Sequence, residues 1–510
     1  MPGRPVRLAA APADAAEVAA GLDALRAEVG VDAAWPAPAL AEAEHAARAG
    51  AAPDAADRPE LAQRVDRTDL PLLTVDPAGS TDLDQAVHVA RHGRGWRVHY
   101  AIADVASFVR PGGALDAETR RRGSTLYAPD GRVPLHPEVL SEAAASLLPD
   151  QVRPAALWRV DLDADGEPTD VHVERALVRS RAQLSYDEAQ RALDDGTADD
   201  VLAGVRAVGL LREERERARG GVSLDVPEQE VVREGDGWAL RFRRTLPVEG
   251  WNAQVSLLTG AVAARIMLEA GVGVVRTLPP ADPHDVARLR RTAAALDIAW
   301  GEDEPYAAVL ARVDSARPAH AAFLHEATSL FRGAGYATFG GADGAPVPTG
   351  DAAEHAAMRL PYAHVTAPLR RLVDRYGTEV CLAVVAGRDV PPWVRDALPA
   401  LPAVMAETGR RAGAFDRGAL DLVEAVVLAP AVGRTFRGAV VDVDERGDGS
   451  TRGQLQVREP AVRARVTADG PLPLGRLVDA RLVEASVPHR RVAFSVERPV
   501  RPGSPLASPA

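Results

Sequence analysis

Three aspartates fall close together in the run Val75-Asp76-Pro77-Ala78-Gly79-Ser80-Thr81-Asp82-Leu83-Asp84-Gln85-Ala86. Proline and glycine between them impose a turn, which lets Asp76 face back toward Asp82 and Asp84. Asp82 and Asp84 are two residues apart, so on an extended chain their side chains share a face. Carboxylates gathered in this way repel one another and either take up a proton or bind a cation. Short oxygen ligands suit Mg²⁺ or Mn²⁺, hard ions that keep waters and share substrate phosphates. A solvated acidic turn is the alternative. A calcium loop is disfavoured, because the Asp-x-Asp-x-Asp-Gly spacing and its distal glutamate are missing.

A second segment, Tyr362-Ala-His-Val-Thr366-Ala-Pro368-Leu-Arg370-Arg371-Leu-Val-Asp374-Arg-Tyr376, carries the opposite charge. Thr366 reads as a helix N-cap and Pro368 as a first-turn residue, with Leu369, Leu372, Val373 and Tyr376 at helical spacing. Arg370 and Arg371 then sit near the first turn, where the helix dipole disfavours cations. Two arginines there call for an anion, and free N–H groups with guanidinium forks make a phosphate site. The alternative is that both reach solvent or Asp374. Acids for a divalent ion beside an arginine-lined anion site point to phosphodiester chemistry.

The elements that must hold these groups are legible too. Leu72–Val75 reads as a short strand before the acidic turn. Ala86–Val89 and Gly95–Val105 read as two more, the latter half-buried, because Trp96, Val98, Tyr100 and Ile102 share one parity. From Trp251 to about Ala425 the pattern is mostly helical, so the expected class is α+β. Ahead of this, Ala9–Ala20 and Pro36–Ala49 read as short helices in an Ala/Asp/Glu/Pro-rich stretch that shows no chemistry. Between 431 and 498 five short β-rich runs fit an OB-fold barrel. From Gly433 to Arg501 there are 13 arginines against 9 acids, whereas the whole chain has a net charge of −12. A locally basic barrel on an acidic chain is a plausible single-strand binder. The expected organisation is a helical N-terminal region (1–64), a catalytic domain (65–430), an OB-fold RNA-binding domain (431–500) and a disordered tail (501–510).

Composition narrows the function classes. At 510 residues, with 46% hydrophobic and 26% charged, the chain has room for several globular domains. A single cysteine, Cys381, excludes an internal disulfide and makes the reducing cytoplasm the expected compartment. No apolar run approaches the ~20 residues of a membrane helix, and the start does not read as a signal peptide. No lysine is present, which reads as coding bias. Acidic chains are poor generic nucleic-acid binders, so any RNA or DNA site must be local and arginine-lined, in a channel rather than on an open face.

Taken in order, these blocks resemble the RNase II/RNase R exoribonucleases, whose catalytic module is the RNB domain. The resemblance covers roughly residues 65–425. Its blocks are Asp76-Pro-x4-Asp82-Leu-Asp84-x-Ala86, Tyr100-Ala-Ile-Ala-Asp104-Val, Ser124-Thr-Leu-Tyr127-Ala-Pro, Val133-Pro-Leu-His-Pro-Glu138-Val-Leu-Ser, Ser146-Leu-Leu-Pro149 and Tyr362 through Arg371. It implies 3′→5′ hydrolysis of single-stranded RNA to 5′-nucleotides with Mg²⁺ or Mn²⁺, the strand threading a narrow channel. It further implies metal-holding acids at Asp76 and Asp82, the most critical carboxylate at Asp84, and a phosphate-handling arginine at Arg370. A base-stacking aromatic falls on Tyr127, RNA contact extends to Arg371, and a late acidic position falls on Asp416.

Three departures from the family pattern stand out. Where the family has a fourth acid, this chain has Gln85, whose amide oxygen can ligate but brings no charge; Gln85→Asp would then raise activity at low Mg²⁺. A helical block that usually carries acids reads Trp251-Asn252-Ala253-Gln254. The first 60 residues lack the expected cold-shock strands. A catalytically weak or inactive RNA-binding protein is therefore the second reading.

Overall fold

The computed structural model describes residues 12–50, 61, 63–224, 228–234, 237–445 and 451–496. The expected disordered tail at 501–510 lies outside the described residues.

The strands that frame the acidic turn form as their side-chain alternation dictates. β1 (Val65–Asp66), β2 (Leu72–Asp76), β3 (Gln85–His92) and β4 (Gly95–Ala103) precede a small hairpin, β5 (Leu126–Ala128) and β6 (Gly131–Val133). Two long strands, β7 (Val152–Leu162) and β8 (Pro168–Ser185), complete the set. The main sheet runs β1-β8-β2-β3-β4-β7, and β7 also pairs with β8, so the sheet curls round on itself. The length of β8 makes this possible: its first part runs antiparallel to β7, and its last residues run parallel to β2. β3 and β4 are joined by a two-residue turn at Gly93-Arg94, where Gly93 takes φ 58°, a conformation disfavoured for a residue with Cβ.

Both faces of this sheet are covered. On one face Val87, Val98, Tyr100 and Trp158 join a core with Trp251, Val255, Leu258 and Val262 of the Pro247–Ala270 helix and with Tyr376 and Cys381 of the Leu372–Val385 helix. On the other, Leu83, Ala86, Ala101 and Leu157 pack with Ala39, Ala43 and Ala46 of the Ala37–Ala49 helix. The first helix, Pro12–Glu28, lays Val18, Leu22 and Leu25 against Phe415 and Leu422 of the long Leu401–Leu428 helix. The N-terminal helices are thus packed on the sheet and on the long Leu401–Leu428 helix.

The Pro247–Ala270 helix corrects one expectation. Among the described residues it is the one helix long and apolar enough to cross a membrane by length and composition. Half of its most apolar window is buried in the protein, against the sheet and neighbouring helices, as a core helix requires.

The C-terminal five strands form as expected. Thr435–Glu445, Thr451–Val457, Val462–Ala468, Leu477–Ser486 and Arg491–Val496 close into a barrel. Val440, Leu455, Val466, Leu482 and Phe494 fill it, in one continuous core with the end of the Leu401–Leu428 helix.

Candidate active site

Leu83, fully buried, anchors the acidic turn between its two neighbouring acids. Its N–H donates to Ser146 Oγ (2.9 Å), and Ser146 donates in turn to the Thr81 carbonyl (2.7 Å). The Asp84 carbonyl accepts the Ala103 N–H at the end of β4 (2.9 Å), and Asn252 Nδ2 donates to the Val75 carbonyl (3.3 Å). Strand pairing, one buried leucine and a helix side chain therefore fix where Asp76 and Asp84 stand.

The arginine segment is built differently from the expected helix start. The helix begins at Leu372, with Arg371 at its N-cap position, and Thr366–Arg371 is a non-helical loop. The cause is pairing with residues 123–125: Thr125 N–H donates to the Arg370 carbonyl (3.0 Å) and Leu372 N–H to the Gly123 carbonyl (3.0 Å). Asp374, fully buried, holds the loop from inside. Its Oδ1 accepts from Ala367 N–H (2.6 Å) and Arg371 Nη2 (2.7 Å), and its Oδ2 accepts from Arg371 Nε (2.9 Å). Arg371 is thereby committed to Asp374, the alternative weighed for it, and acts on the loop rather than presenting a free fork to phosphate.

This loop delivers two groups to Asp84. Leu369 N–H donates to Asp84 Oδ1 (2.7 Å), and Arg370 Nε lies 3.6 Å from Asp84 Oδ2. Arg370 keeps 42% of its side chain exposed, so it faces both the acid and the open space beside it. Burial pushes the Asp84 carboxyl up to about 7, against the pull of Arg370 and the Leu369 N–H. Burial likewise pushes Asp76 up to about 6, with Arg370 opposing. Asp76 Oδ2 and Asp84 Oδ2 are both buried and accept no hydrogen bond. A buried, unpartnered carboxylate oxygen is costly and calls for a proton or a cation.

The other two expected ligands are engaged elsewhere. Gln85 donates from Nε2 to the Thr366 carbonyl (2.7 Å), and its Oε1 accepts from Tyr100 Oη and from Ser256 Oγ (3.2 Å). Both ends of the amide are taken, so Gln85 ties the arginine loop to the sheet and offers no lone oxygen to an ion. Asp82 is paired with Arg132 (2.5 Å) and accepts from Tyr127 Oη (3.2 Å). Among the described residues no group of three or more His, Cys, Asp or Glu side chains could hold a metal ion. Of the expected four-ligand set, Asp82 and Gln85 are thus engaged by other groups, and Asp76 and Asp84 keep an open oxygen each, both within the field of Arg370 and of Asp82. Two carboxylates with open oxygens still fit a Mg²⁺-type ion, which needs only one or two acids plus waters and substrate phosphate.

Arg370 lines a cavity of about 970 Å³, together with Tyr127, Arg276, Tyr336, Arg410 and Arg417. Tyr127 stands 48% exposed on its hairpin. Asp416 is exposed on the Leu401–Leu428 helix, next to Arg417, and does not line the cavity itself. Arg132 and Ser256 escaped the sequence reading, which used Tyr100 only as a strand residue and Asp374 only as an alternative partner of Arg371. Arg132 alone left a signal, since Tyr127-Ala-Pro-Asp-Gly-Arg132 is a hairpin pattern that places it opposite Tyr127.

Comparison with known proteins bears on the family and the fold. The family model described as the RNB domain matches residues 64–384. The chain belongs to the RNB family. An RNase II-type exonuclease C-terminal S1 domain matches residues 434–497 of this RNB protein, the segment that folds into the barrel. A probable exosome complex exonuclease RRP44 of Caenorhabditis elegans is 33% identical over 246 residues, 47% of this chain and 24% of that protein. Ribonuclease R of Escherichia coli is 33% identical over 180 residues, 34% of this chain and 22% of its own length. The matches thus span less than a quarter of these relatives. Mycoplasma genitalium RNase R, solved with ribose-methylated single-stranded RNA, superposes with a TM-score of 0.82 at 19% identity, over 94% of this chain and 78% of that one. Yeast Ssd1, a pseudonuclease, superposes with a TM-score of 0.65 at 16% identity, over 80% of this chain and 51% of its own. At these identities the likeness speaks for the fold.

Proposed function

We propose that this RNB protein hydrolyses single-stranded RNA from its 3′ end to 5′-nucleotides. The observation that carries the reading is the pair of buried carboxylates, each with an unpartnered oxygen, beside Arg370 at the wall of an arginine-lined cavity. Asp76 and Asp84 would hold Mg²⁺ or Mn²⁺, which when bound supplies charge neutralisation at the phosphate and an activated water. Leu369 N–H and the Arg370 guanidinium aim Asp84 and favour its ionised form against the effect of burial. Arg370 is also the cation that stabilises negative charge on the phosphoryl oxygens as the bond breaks. The exposed Tyr127 ring offers a stacking face for a terminal base. The cytoplasm is the proposed setting, on the single buried Cys381.

A second reading has its own support. Gln85 adds no charge, Asp82 is already neutralised by Arg132, and one structural neighbour is a pseudonuclease. An RNA-binding protein without turnover would look like this. Incubating 5′-labelled single-stranded RNA with Mg²⁺ and with Mn²⁺ separates the two. Shortening from the 3′ end with release of 5′-nucleotides supports the first reading; RNA that is bound and left whole in both metals establishes the second.

A further inference from the structure

Hairpin β5–β6 carries Tyr127 and Arg132 directly opposite one another across its ladder. Both reach the same carboxylate. Arg132 Nη1 contacts Asp82 Oδ1 at 2.5 Å, and Tyr127 Oη donates to Asp82 Oδ2 at 3.2 Å. Each oxygen of Asp82 is thus taken by one member of a cross-strand pair. The rest of the Arg132 guanidinium is held as firmly. Nε donates to Glu142 Oε1 (3.0 Å), and Nη2 donates to Thr81 Oγ1 (2.6 Å), which itself donates to Glu142 Oε2 (2.8 Å). At its tip, Asp130 of the same hairpin pairs with Arg26 of the Pro12–Glu28 helix (2.5 Å).

Arg132 and Asp82 are mostly buried, at 21% and 13% side-chain exposure. A charge-assisted contact in such surroundings is stronger than a surface pair. Asp82 is also one of the acids in the turn that holds Asp76 and Asp84, and its charge is felt at both. A carboxylate whose charge is already neutralised by a guanidinium is a weaker ligand for a divalent cation, so the two compete for the charge of Asp82.

We propose that Arg132 is a latch on Asp82: it competes with a divalent cation for this carboxylate, so that metal entry removes the two contacts of the hairpin to Asp82, loosens it and frees the Tyr127 side chain, while Arg132 keeps Glu142. The inference rests on the metal-assisted reading above and adds a coupling to it. In the latched state the hairpin holds Tyr127 on Asp82. Once a cation draws Asp82 inward, Arg132 remains with Glu142 and Tyr127 is free to follow the substrate.

The test uses the full chain and Mn²⁺ alone, read by electron paramagnetic resonance of free Mn²⁺. Arg132→Met is expected to tighten Mn²⁺ binding about tenfold, and Arg132→Lys by less. In an Asp82→Asn background the same Arg132→Met change is expected to have no effect, because the contested charge is gone. Equal tightening in both backgrounds would mean a general loss of positive charge, and it would overturn the latch. Unchanged affinity in Arg132→Met would also overturn it, while leaving the metal-assisted reading intact. Absence of Mn²⁺ binding in the wild type and in every variant would sink the metal-assisted reading and the latch together. Hydrogen–deuterium exchange of residues 126–133 gives a second readout that does not depend on a variant folding: in the wild type it is expected to rise on Mn²⁺ addition. Exchange unaltered by saturating Mn²⁺ would overturn the coupling.

Discussion

Asp84 and Gln85 are adjacent, yet the structure gives them opposite tasks. Asp84 keeps one oxygen on the Leu369 N–H and leaves the other unpartnered beside Arg370. Asp84→Asn keeps the acceptor for Leu369 and removes the charge. It is expected to cut hydrolysis by at least 100-fold while RNA binding, measured by filter retention in EDTA, stays within about twofold. Full turnover in the variant would remove Asp84 from the chemistry. Gln85 is the site where structure reverses the expectation from sequence. A missing acid suggested that Gln85→Asp would restore metal affinity. The observed amide instead donates to Thr366 and accepts from Tyr100 and Ser256. Aspartate is one methylene shorter and has no donor, so it leaves the Thr366 carbonyl unpaired, at a cost of about 1–3 kcal/mol. Gln85→Asp is therefore expected to lower both thermal stability and turnover. Higher activity at low Mg²⁺ with unchanged stability would show that Gln85 acts as a ligand position after all.

At the scale of elements, the site depends on a loop that local sequence signals misplace. Thr366 and Pro368 carry good helix-start chemistry, but backbone pairing of 370–372 with 123–125 delays the helix to Leu372. Such a pairing joins residues some 250 positions apart, and no local pattern encodes it. The strands were legible for the converse reason, since alternation in Trp96, Val98, Tyr100 and Ile102 is written locally. The barrel strands were legible in the same way. Of the site, Asp76, Asp84 and Arg370 could be read from residue type and spacing. The engagements of Asp82, Gln85 and Arg371 could not, because their partners Arg132, Tyr100 and Ser256 come from other elements, and Asp374 was offered only as an alternative. Asp374 shows what the loop costs to hold. It satisfies Ala367 N–H and Arg371 at once from a fully buried position. Asp374→Ala strands both, and it is expected to destabilise the protein by roughly 3 kcal/mol. Turnover should fall further than stability alone explains, because Arg370 loses its register on Asp84. Urea unfolding with a loss below about 1 kcal/mol would mean that the pairing with 123–125 holds the loop unaided.

Across the whole molecule the barrel, the Leu401–Leu428 helix and the antiparallel strand pair Glu228–Glu234 and Gly237–Arg243 meet around one acid. Glu424 is buried on the helix, and its Oε1 accepts from Gln229 Nε2 of the first of these strands (2.6 Å) and from Arg463 N–H of the barrel (3.2 Å). Because this junction continues the barrel core into the helix, deleting 431–510 would expose apolar surface and confuse an RNA-binding test with unfolding. The junction has a pH signature instead. Burial pushes the Glu424 carboxyl up to about 7, aided by Asp421 and opposed by the Gln229 and Arg463 N–H donors and the Arg463 charge. In the unfolded chain it titrates near 4.5. The folded state therefore holds the proton more tightly: the contribution to stability is full below about pH 4.5 and is lost as pH rises through about 7. Glu424→Gln keeps the acceptor oxygen and cannot ionise. Any fixed effect of its extra amide hydrogens is the same at every pH. The stability of Glu424→Gln relative to the wild type is thus expected to rise from pH 4.5 to pH 8, by on the order of 3 kcal/mol. Paired thermal melts across that range decide the matter. A difference between the two proteins that stays flat with pH would mean that Glu424 is ionised throughout and that the domain junction is held by its apolar core.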